Sequence, residues 1–150
     1  MIAVINRLIA RARSSHSPVI FIRHEDDETL THGSAPWQLV ADLDVHAKDL
    51  FVEKQHGSAF HDTPVRELLL SLGIQEIVIC GMQTEYCVDS TFRHAITLGF
   101  KVELAEDGHT TFDSATLSAR QIVDHHNRVL SSYGSVLPAE SILFRSVWPA

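Results

Sequence analysis

Cys87 is the residue of this 150-residue chain best placed for covalent chemistry. It follows the apolar run Ile77–Cys80 and lies about three residues inside a segment of helical periodicity that opens at Thr84. Unpaired backbone N–H groups and the helix dipole at such a position favour an anion, which promotes a thiolate nucleophile. The alternative is that Cys87, like Cys80 inside the apolar run, is a small buried hydrophobic residue.

Polar residues that follow predicted strands are the other candidates, because ligands bind outside the carboxyl ends of the strands in open parallel sheets. Lys54 ends one strand and begins such a polar segment; the alternative is a solvated lysine at the end of a strand. His24 and His56 flank the expected pocket and are candidates for substrate contact. An apolar wall is the hypothesis for three aromatic residues that could equally pack in the core: Trp37, Phe60 and Tyr86.

Alternating helices and strands must position these residues. Apolar positions at a spacing of three to four residues predict an amphipathic helix over 2–13, and helices are also predicted over 63–73, 84–99 and 114–134. Short apolar runs predict strands over 18–24, 49–54, 74–81 and 101–107, with a possible last strand over 141–144. Such alternation favours an α/β fold in which helices cover both faces of a parallel sheet.

The composition limits the classes of function. A share of 45% hydrophobic and 21% charged residues is typical of a globular protein, and the length fits one domain over residues 1–150. Twelve basic and nineteen acidic residues give a net charge of −7, which argues against nucleic acid as a partner. No run approaches the ~20 apolar residues of a membrane span. Two cysteines are too few for a disulfide framework, and we expect a cytoplasmic protein.

The segment that begins at Gly81 resembles the motif of the isochorismatase-like cysteine hydrolases, the family related to nicotinamidases. The family pattern is Gly, two variable residues, Thr, two more and Cys-Val, followed by Thr-x-Arg-x-Ala. The resemblance continues upstream around Lys54 and downstream in the segment 107–113. It implies a three-layer, doubly wound, mostly parallel and Rossmann-like sheet. The residues that match the central motif are Gly81, Thr84, Cys87, Val88, Thr91, Arg93 and Ala95.

The resemblance implies a cysteine hydrolase that cleaves an amide-type C–N bond of a small molecule through a thioester on Cys87. It places two members of an Asp-Lys-Cys triad on Lys54 and Cys87. It also implies a cis peptide between Met82 and Gln83, with the backbone N–H groups of Gln83 and Cys87 forming an oxyanion hole. Nicotinamidases of the family bind a metal through an Asp-x-His pair and a further histidine in the loop after the first strand. His32, His46 and His61 lack that setting, so neither a metal nor a cofactor is expected. A homodimer or larger homo-oligomer is implied.

The sequence departs from the family pattern at its beginning. In relatives the triad aspartate closes a strand that precedes the first helix, whereas this sequence starts at that helix. We expect a truncated sequence, so that the first strand of the family fold is missing and its neighbours keep unpaired edges. Two alternatives remain open. An acid among Glu25, Asp26 and Asp27 could substitute, or the protein could be catalytically impaired and act as an oligomeric or ligand-binding protein.

Overall fold

A computed structural model describes residues 1–146 of the chain, and strands and helices alternate along it. Its helices are α1 (Ile2–Ser14), α2 (Val65–Ser71), α3 (Asp89–Thr97) and α4 (Ala119–Leu130), with a π-helical turn at Thr84–Val88 and a 3-10 turn at Ala139–Ser141. Its strands are β1 (Ile20–His24), β2 (Leu50–Lys54), β3 (Glu76–Met82), β4 (Lys101–Thr110) and β5 (Ser135–Leu137). This alternation confirms the predicted α/β class.

The strands form two parallel groups. β1 pairs with β2 from Ile20 opposite Leu50 to His24 opposite Lys54. β4 pairs with β3 on one side and with β5 on the other, also in parallel. Within residues 1–146, no strand pairing joins the β1–β2 group to the β3–β4–β5 group. His24 and Lys54 end β1 and β2, and a 3.1 Å contact between Lys54 and Cys87 brings this end of the pair next to the turn that follows β3.

Helices on both faces hold the two groups of strands together. On one face, the apolar stripe of α1 packs Leu8 with Ala105 of β4, and packs Ile5 and Ile9 with Phe21 of β1. On the other face, the largest core cluster joins Val52 of β2 with residues of α2, α3, α4 and β4. The result is the three-layer arrangement expected from the sequence. None of the helices within residues 1–146 has both the length and the apolar character needed to cross a membrane.

The predicted last strand over 141–144 is wrong. The strand that pairs with β4 is Ser135–Leu137, and the later apolar residue Ile142 is fully buried in a non-regular segment. The Arg11 guanidinium donates to the carbonyls of Ala139 and Ile142, and the Asp107 carboxylate accepts the Ala139 N–H at 2.8 Å. These side chains satisfy the backbone, so burial there requires no strand pairing.

The last helix is also shorter than predicted, because its N-terminus is defined by a capping box. The Ser118 hydroxyl accepts from the Gln121 N–H, and the Gln121 side chain accepts from the Ser118 N–H at 2.9 Å. Asp113 accepts the Ala119 N–H at 2.7 Å. The helix therefore begins at Ala119, and residues 114–118 form a loop.

Candidate active site

Lys54 is the centre of a set of contacts at the carboxyl ends of the strands. Its side chain is buried, with a relative exposure of only 5%. The Nζ atom donates to the His56 carbonyl at 2.8 Å, to Nδ1 of His24 at 3.1 Å and to Sγ of Cys87 at 3.1 Å. These three acceptors match the three N–H bonds of an ammonium group. Within residues 1–146, no carboxylate forms an ion pair with Lys54.

Cys87 lies beside Lys54 because β3 passes into a single turn of π-helix before α3 begins. The Val88 N–H donates to the Gln83 carbonyl at 3.1 Å, five residues earlier, and the Tyr86 N–H donates to the same oxygen at 3.2 Å. Gly81 precedes this turn at a φ of +124°, a backbone conformation that favours glycine. The Met82–Gln83 peptide bond is cis. Cys87 is therefore held at the first turn of the helical segment, as the sequence pattern predicts.

The loop after β2 is bound to α3, the helix that directly follows the π-helical turn Thr84–Val88 (the cysteine turn). The Ala59 N–H donates to Oγ1 of Thr91 at 3.0 Å, and Oγ of Ser58 lies 2.9 Å from Nδ1 of His94. These contacts fix the loop that presents the His56 carbonyl to Lys54. Thr91, one of the motif residues, thus has a structural role that the sequence pattern alone did not reveal.

A second network anchors Thr84 at the start of the π-helical turn. Oγ1 of Thr84 lies 2.8 Å from Nδ1 of His109, and Nε2 of His109 lies 2.8 Å from Oδ1 of Asn127. The Asn127 amide nitrogen donates to the Glu106 carbonyl at 3.1 Å, which leaves Oδ1 to accept from His109. His109 therefore carries a proton on Nε2. Burial lowers the pKa of His109, which favours the neutral form, in which Nδ1 accepts from the Thr84 hydroxyl.

The structure separates the five pocket candidates into exposed and buried groups. His24 contacts Lys54, while the His56 ring is exposed and stacks on His61 with ring centroids 3.9 Å apart. Tyr86, next to the cysteine, is 60% exposed. Phe60 is buried in the main core cluster, and its ring lies 5.7 Å from that of Phe100.

Trp37 is buried as well, and its indole ring lies beneath a charged group. The Arg23 guanidinium carbon is 3.8 Å from the centre of the Trp37 ring, and the His32 ring centroid lies 4.4 Å away. This stack stabilises the segment after β1. Trp37 and Phe60 thus belong to the packing, while His24, His56 and Tyr86 remain accessible or in contact with the Lys54 group.

The acids after β1 have partners other than Lys54. The Asp26 carboxylate accepts N–H groups of the following turn, and these hydrogen bonds, chiefly that from Leu30, lower the pKa of Asp26 to about 2. Glu25 accepts from Gln55 at 3.2 Å and lies 3.0 Å from His32. Asp27 is exposed. The described contacts therefore give none of these acids the place of a lysine-paired carboxylate.

The two cysteines have different environments. Cys80 lies inside β3 among apolar residues of the two smaller core clusters, and burial raises its pKa to about 11. Cys87 instead has an ammonium donor 3.1 Å from its sulfur. This contrast makes Cys80 a natural internal reference for the reactivity of Cys87.

Two exposed groups have side-chain atoms close enough to hold a cation. They are His56, His61 and Asp62 in the loop after β2, and Glu25, His32 and Glu53 beside β1 and β2. The ligand atoms in each group lie within 4.8 Å of one another. Exposed polar side chains commonly adopt such spacing in the absence of a metal, and the expectation that no metal is required stays a prediction.

Comparisons with known proteins identify the fold and the motif. The family model described as the isochorismatase domain matches residues 1–132. The chain is 30% identical to a streptothricin hydrolase of Streptomyces noursei, over 71% of this chain and 43% of that protein. It is 29% identical to nicotinamidase 3 of Arabidopsis thaliana, over 67% of this chain and 59% of that protein. The chain thus spans about half the length of these curated relatives.

A solved structure agrees with this assignment. A crystal structure of an isochorismatase family protein superimposes with a TM-score of 0.87 at 37% sequence identity, covering 91% of this chain and 82% of that one. The family model includes β1 to β4 and the Cys87 turn. Together, the match over 1–132 and the shared architecture show that the chain belongs to the isochorismatase family.

Proposed function

We propose that the chain acts as a cysteine hydrolase that cleaves an amide-type C–N bond of a small molecule, with Cys87 as nucleophile. The observation that carries this proposal is the 3.1 Å contact between Nζ of Lys54 and Sγ of Cys87 at the carboxyl ends of the strands. The name of the nicotinamidase relative supports an amide as the substrate class. The name of the streptothricin relative supports hydrolysis as the reaction.

In the proposed reaction, the Cys87 thiolate attacks the amide carbonyl carbon and forms a C–S bond. The tetrahedral intermediate then expels the nitrogen, which leaves as an amine or ammonia after taking up a proton. Water attacks the resulting thioester, releasing the carboxylic acid and the thiol. Lys54 stabilises the thiolate in the free and regenerated states. The backbone N–H groups of Gln83 and Cys87 are proposed to hold the developing oxyanion, at about 3 kcal/mol each.

The proposed substrate pocket lies over Cys87. His24, His56 and Tyr86 are its candidate contact residues, whereas Phe60 and Trp37 are buried in the packing. A single domain over 1–150, a homo-oligomeric state and a cytoplasmic location follow from the family resemblance and the composition, and they are part of the same proposal.

The direct test is the rate at which iodoacetamide alkylates each cysteine at pH 7.5, followed by peptide mass spectrometry. We expect Cys87 to react much faster than Cys80, whose pKa burial raises to about 11. Lys54→Met should slow alkylation of Cys87 about tenfold or more, because it removes a charged donor from the sulfur. The matched control is Lys48→Met, which removes an exposed lysine. Equal, slow labelling of both cysteines would refute the activated thiol.

The chemistry itself is tested with a panel of small primary amides by measuring ammonia release. Wild-type protein should release ammonia from at least one member, and Cys87→Ser should abolish the release. Rapid alkylation of Cys87 without turnover of any amide would instead favour another electrophilic substrate class.

A second candidate function is that of a catalytically impaired, ligand-binding family member. It is favoured by the finding that Lys54 pairs with no carboxylate within residues 1–146, since a general base for Cys87 is then missing from the described contacts. Slow alkylation of Cys87, combined with saturable binding of an amide in calorimetry, would support this alternative.

A further inference from the structure

We propose that His24 is a positioning residue that holds the Lys54 ammonium against the sulfur of Cys87. This inference rests on the proposed function and extends it to a residue that acts through Lys54. His24 and Lys54 are the last register pair of β1 and β2, so their side chains leave the strand pair side by side. Nδ1 of His24 and Nζ of Lys54 are 3.1 Å apart.

The argument begins with the other two acceptors of Lys54. The His56 carbonyl is fixed by the loop that Thr91 ties to α3, and the Cys87 sulfur is fixed by the π-helical turn. With 5% exposure, the Lys54 side chain has little access to water that could replace a lost partner. Removing the His24 acceptor would leave one ammonium N–H without a partner, and the group would move toward solvent and away from sulfur.

The protonation state of His24 follows from the direction of this hydrogen bond. An ammonium group donates only, so Nδ1 of His24 must accept and the imidazole must be neutral, with its proton on Nε2. The charged and titratable groups that face His24 are Lys54, Asp26 and His56. Burial and the Lys54 charge lower the pKa of His24, against the opposing effect of Asp26, so the neutral form dominates at pH 7.

A pH dependence follows with a definite sign. As pH falls through the lowered pKa of His24, the imidazole gains a proton on Nδ1 and can no longer accept from Lys54. Two cations then face each other in a buried site, and the Lys54 ammonium loses its position beside Cys87. A purely structural role for His24 would not couple the protonation of this ring to the reactivity of the Cys87 sulfur in the π-helical turn.

Two amide substitutions at His24 distinguish a role in positioning Lys54 from a role in packing alone. In His24→Asn the amide oxygen can occupy the place of Nδ1, whereas in His24→Gln it reaches the place of Nε2, one bond farther out. Both variants are polar and uncharged, so they differ mainly in where the acceptor lies. His125→Asn is the control, because His125 is an exposed residue of α4 whose ring packs against His126, away from Lys54.

The experiment measures the alkylation rate of Cys87 by iodoacetamide from pH 5 to 8.5 in the wild type and the three variants, with melting temperatures recorded to confirm folding. We expect the alkylation rates of His24→Asn and His125→Asn to stay within about twofold of the wild-type rate at pH 7.5, and that of His24→Gln to fall about tenfold. Below pH 6, the wild-type rate should fall more steeply than the His24→Asn rate, because asparagine does not titrate.

The outcomes are distinguishable from failure of the proposed function. If wild-type Cys87 reacts no faster than Cys80, the proposed function fails and the role of His24 fails with it. Suppose that wild-type Cys87 is alkylated rapidly and that Lys54→Met slows this alkylation. If His24→Asn and His24→Gln are then alkylated at equal rates, with the pH profile of the wild type, only the positioning role of His24 is overturned. If His24→Gln does not fold, the pH profiles of the wild type and His24→Asn test the positioning role. Identical falls in the alkylation rate below pH 6 would overturn it.

Discussion

Replacing Thr84 by valine tests whether the hydrogen bonds from Thr84 through His109 to Asn127 stabilise the protein. Thr84 is fully buried, and its hydroxyl faces Nδ1 of His109 at 2.8 Å. Because Asn127 fixes the proton of His109 on Nε2, Nδ1 requires a donor, and the Thr84 hydroxyl provides it. Valine keeps the shape of threonine but removes the donor, leaving a buried ring nitrogen without a partner.

An unsatisfied buried acceptor of this kind costs about 1–3 kcal/mol, so we expect the free energy of unfolding to fall by about 2 kcal/mol. For a protein of this size, this corresponds to a decrease in melting temperature of about 4–8 °C. Urea unfolding followed by circular dichroism measures the change. Thr84→Ser is the control, because it keeps the hydroxyl and loses only a methyl group.

A double-mutant cycle identifies the origin of the loss. In a His109→Phe background the acceptor is absent, so Thr84→Val should cost much less than it does in the wild type. A cost below about 0.5 kcal/mol in the wild-type background, or the same cost in both backgrounds, would refute the hydrogen-bond network as its cause.

Three further predictions concern the scaffold of the site. Ser118→Ala should destabilise the protein by about 1 kcal/mol in urea unfolding, since it removes the hydroxyl of the capping box with Gln121. Gly81→Ala should cost about 1–3 kcal/mol in the same assay, because φ is +124° although a Cβ would meet no atom within 4 Å. The free energy of unfolding should fall as pH decreases below about 6.5. The pKa values of His24 and His109 are lower in the folded protein than in the unfolded chain, so protonation favours unfolding. Constant midpoints of urea unfolding between pH 7.5 and 5.5 would contradict this prediction.

The sequence was sufficient to predict the elements that carry the cysteine turn. A β-branched apolar run predicts β3, and the helical spacing after Thr84 predicts the segment that contains Cys87. Both signals are local, because they depend on the alternation of residue types within about ten positions. The rule that functional residues follow parallel strands selected four polar segments, and the family resemblance then singled out Lys54, which the structure places 3.1 Å from Cys87.

Local patterns could not identify contacts that the tertiary structure creates. The residue opposite Lys54 in the strand register is His24, 30 positions away, and the register depends on how β1 and β2 align. The same holds for Thr91, whose hydroxyl binds the loop before α2. The error at residues 141–144 has a related cause, since Arg11, far away in the chain, satisfies the backbone there.

Because the strands form two separate groups, the contacts between Lys54, His24 and Cys87 depend on more than strand pairing. Lys54 and His24 belong to the β1–β2 group, whereas Cys87 follows β3 in the other group, and no strand pairing in residues 1–146 joins the two. The distance from Nζ to Sγ therefore depends on elements outside the sheet. The loop bound to Thr91 lies at the end of the fold that carries Lys54 and Cys87, while α1 packs against both groups of strands. The contact between Lys54 and Cys87 is thus assembled by helices and a loop, and substitutions in those elements can change the surroundings of Cys87 without contacting it.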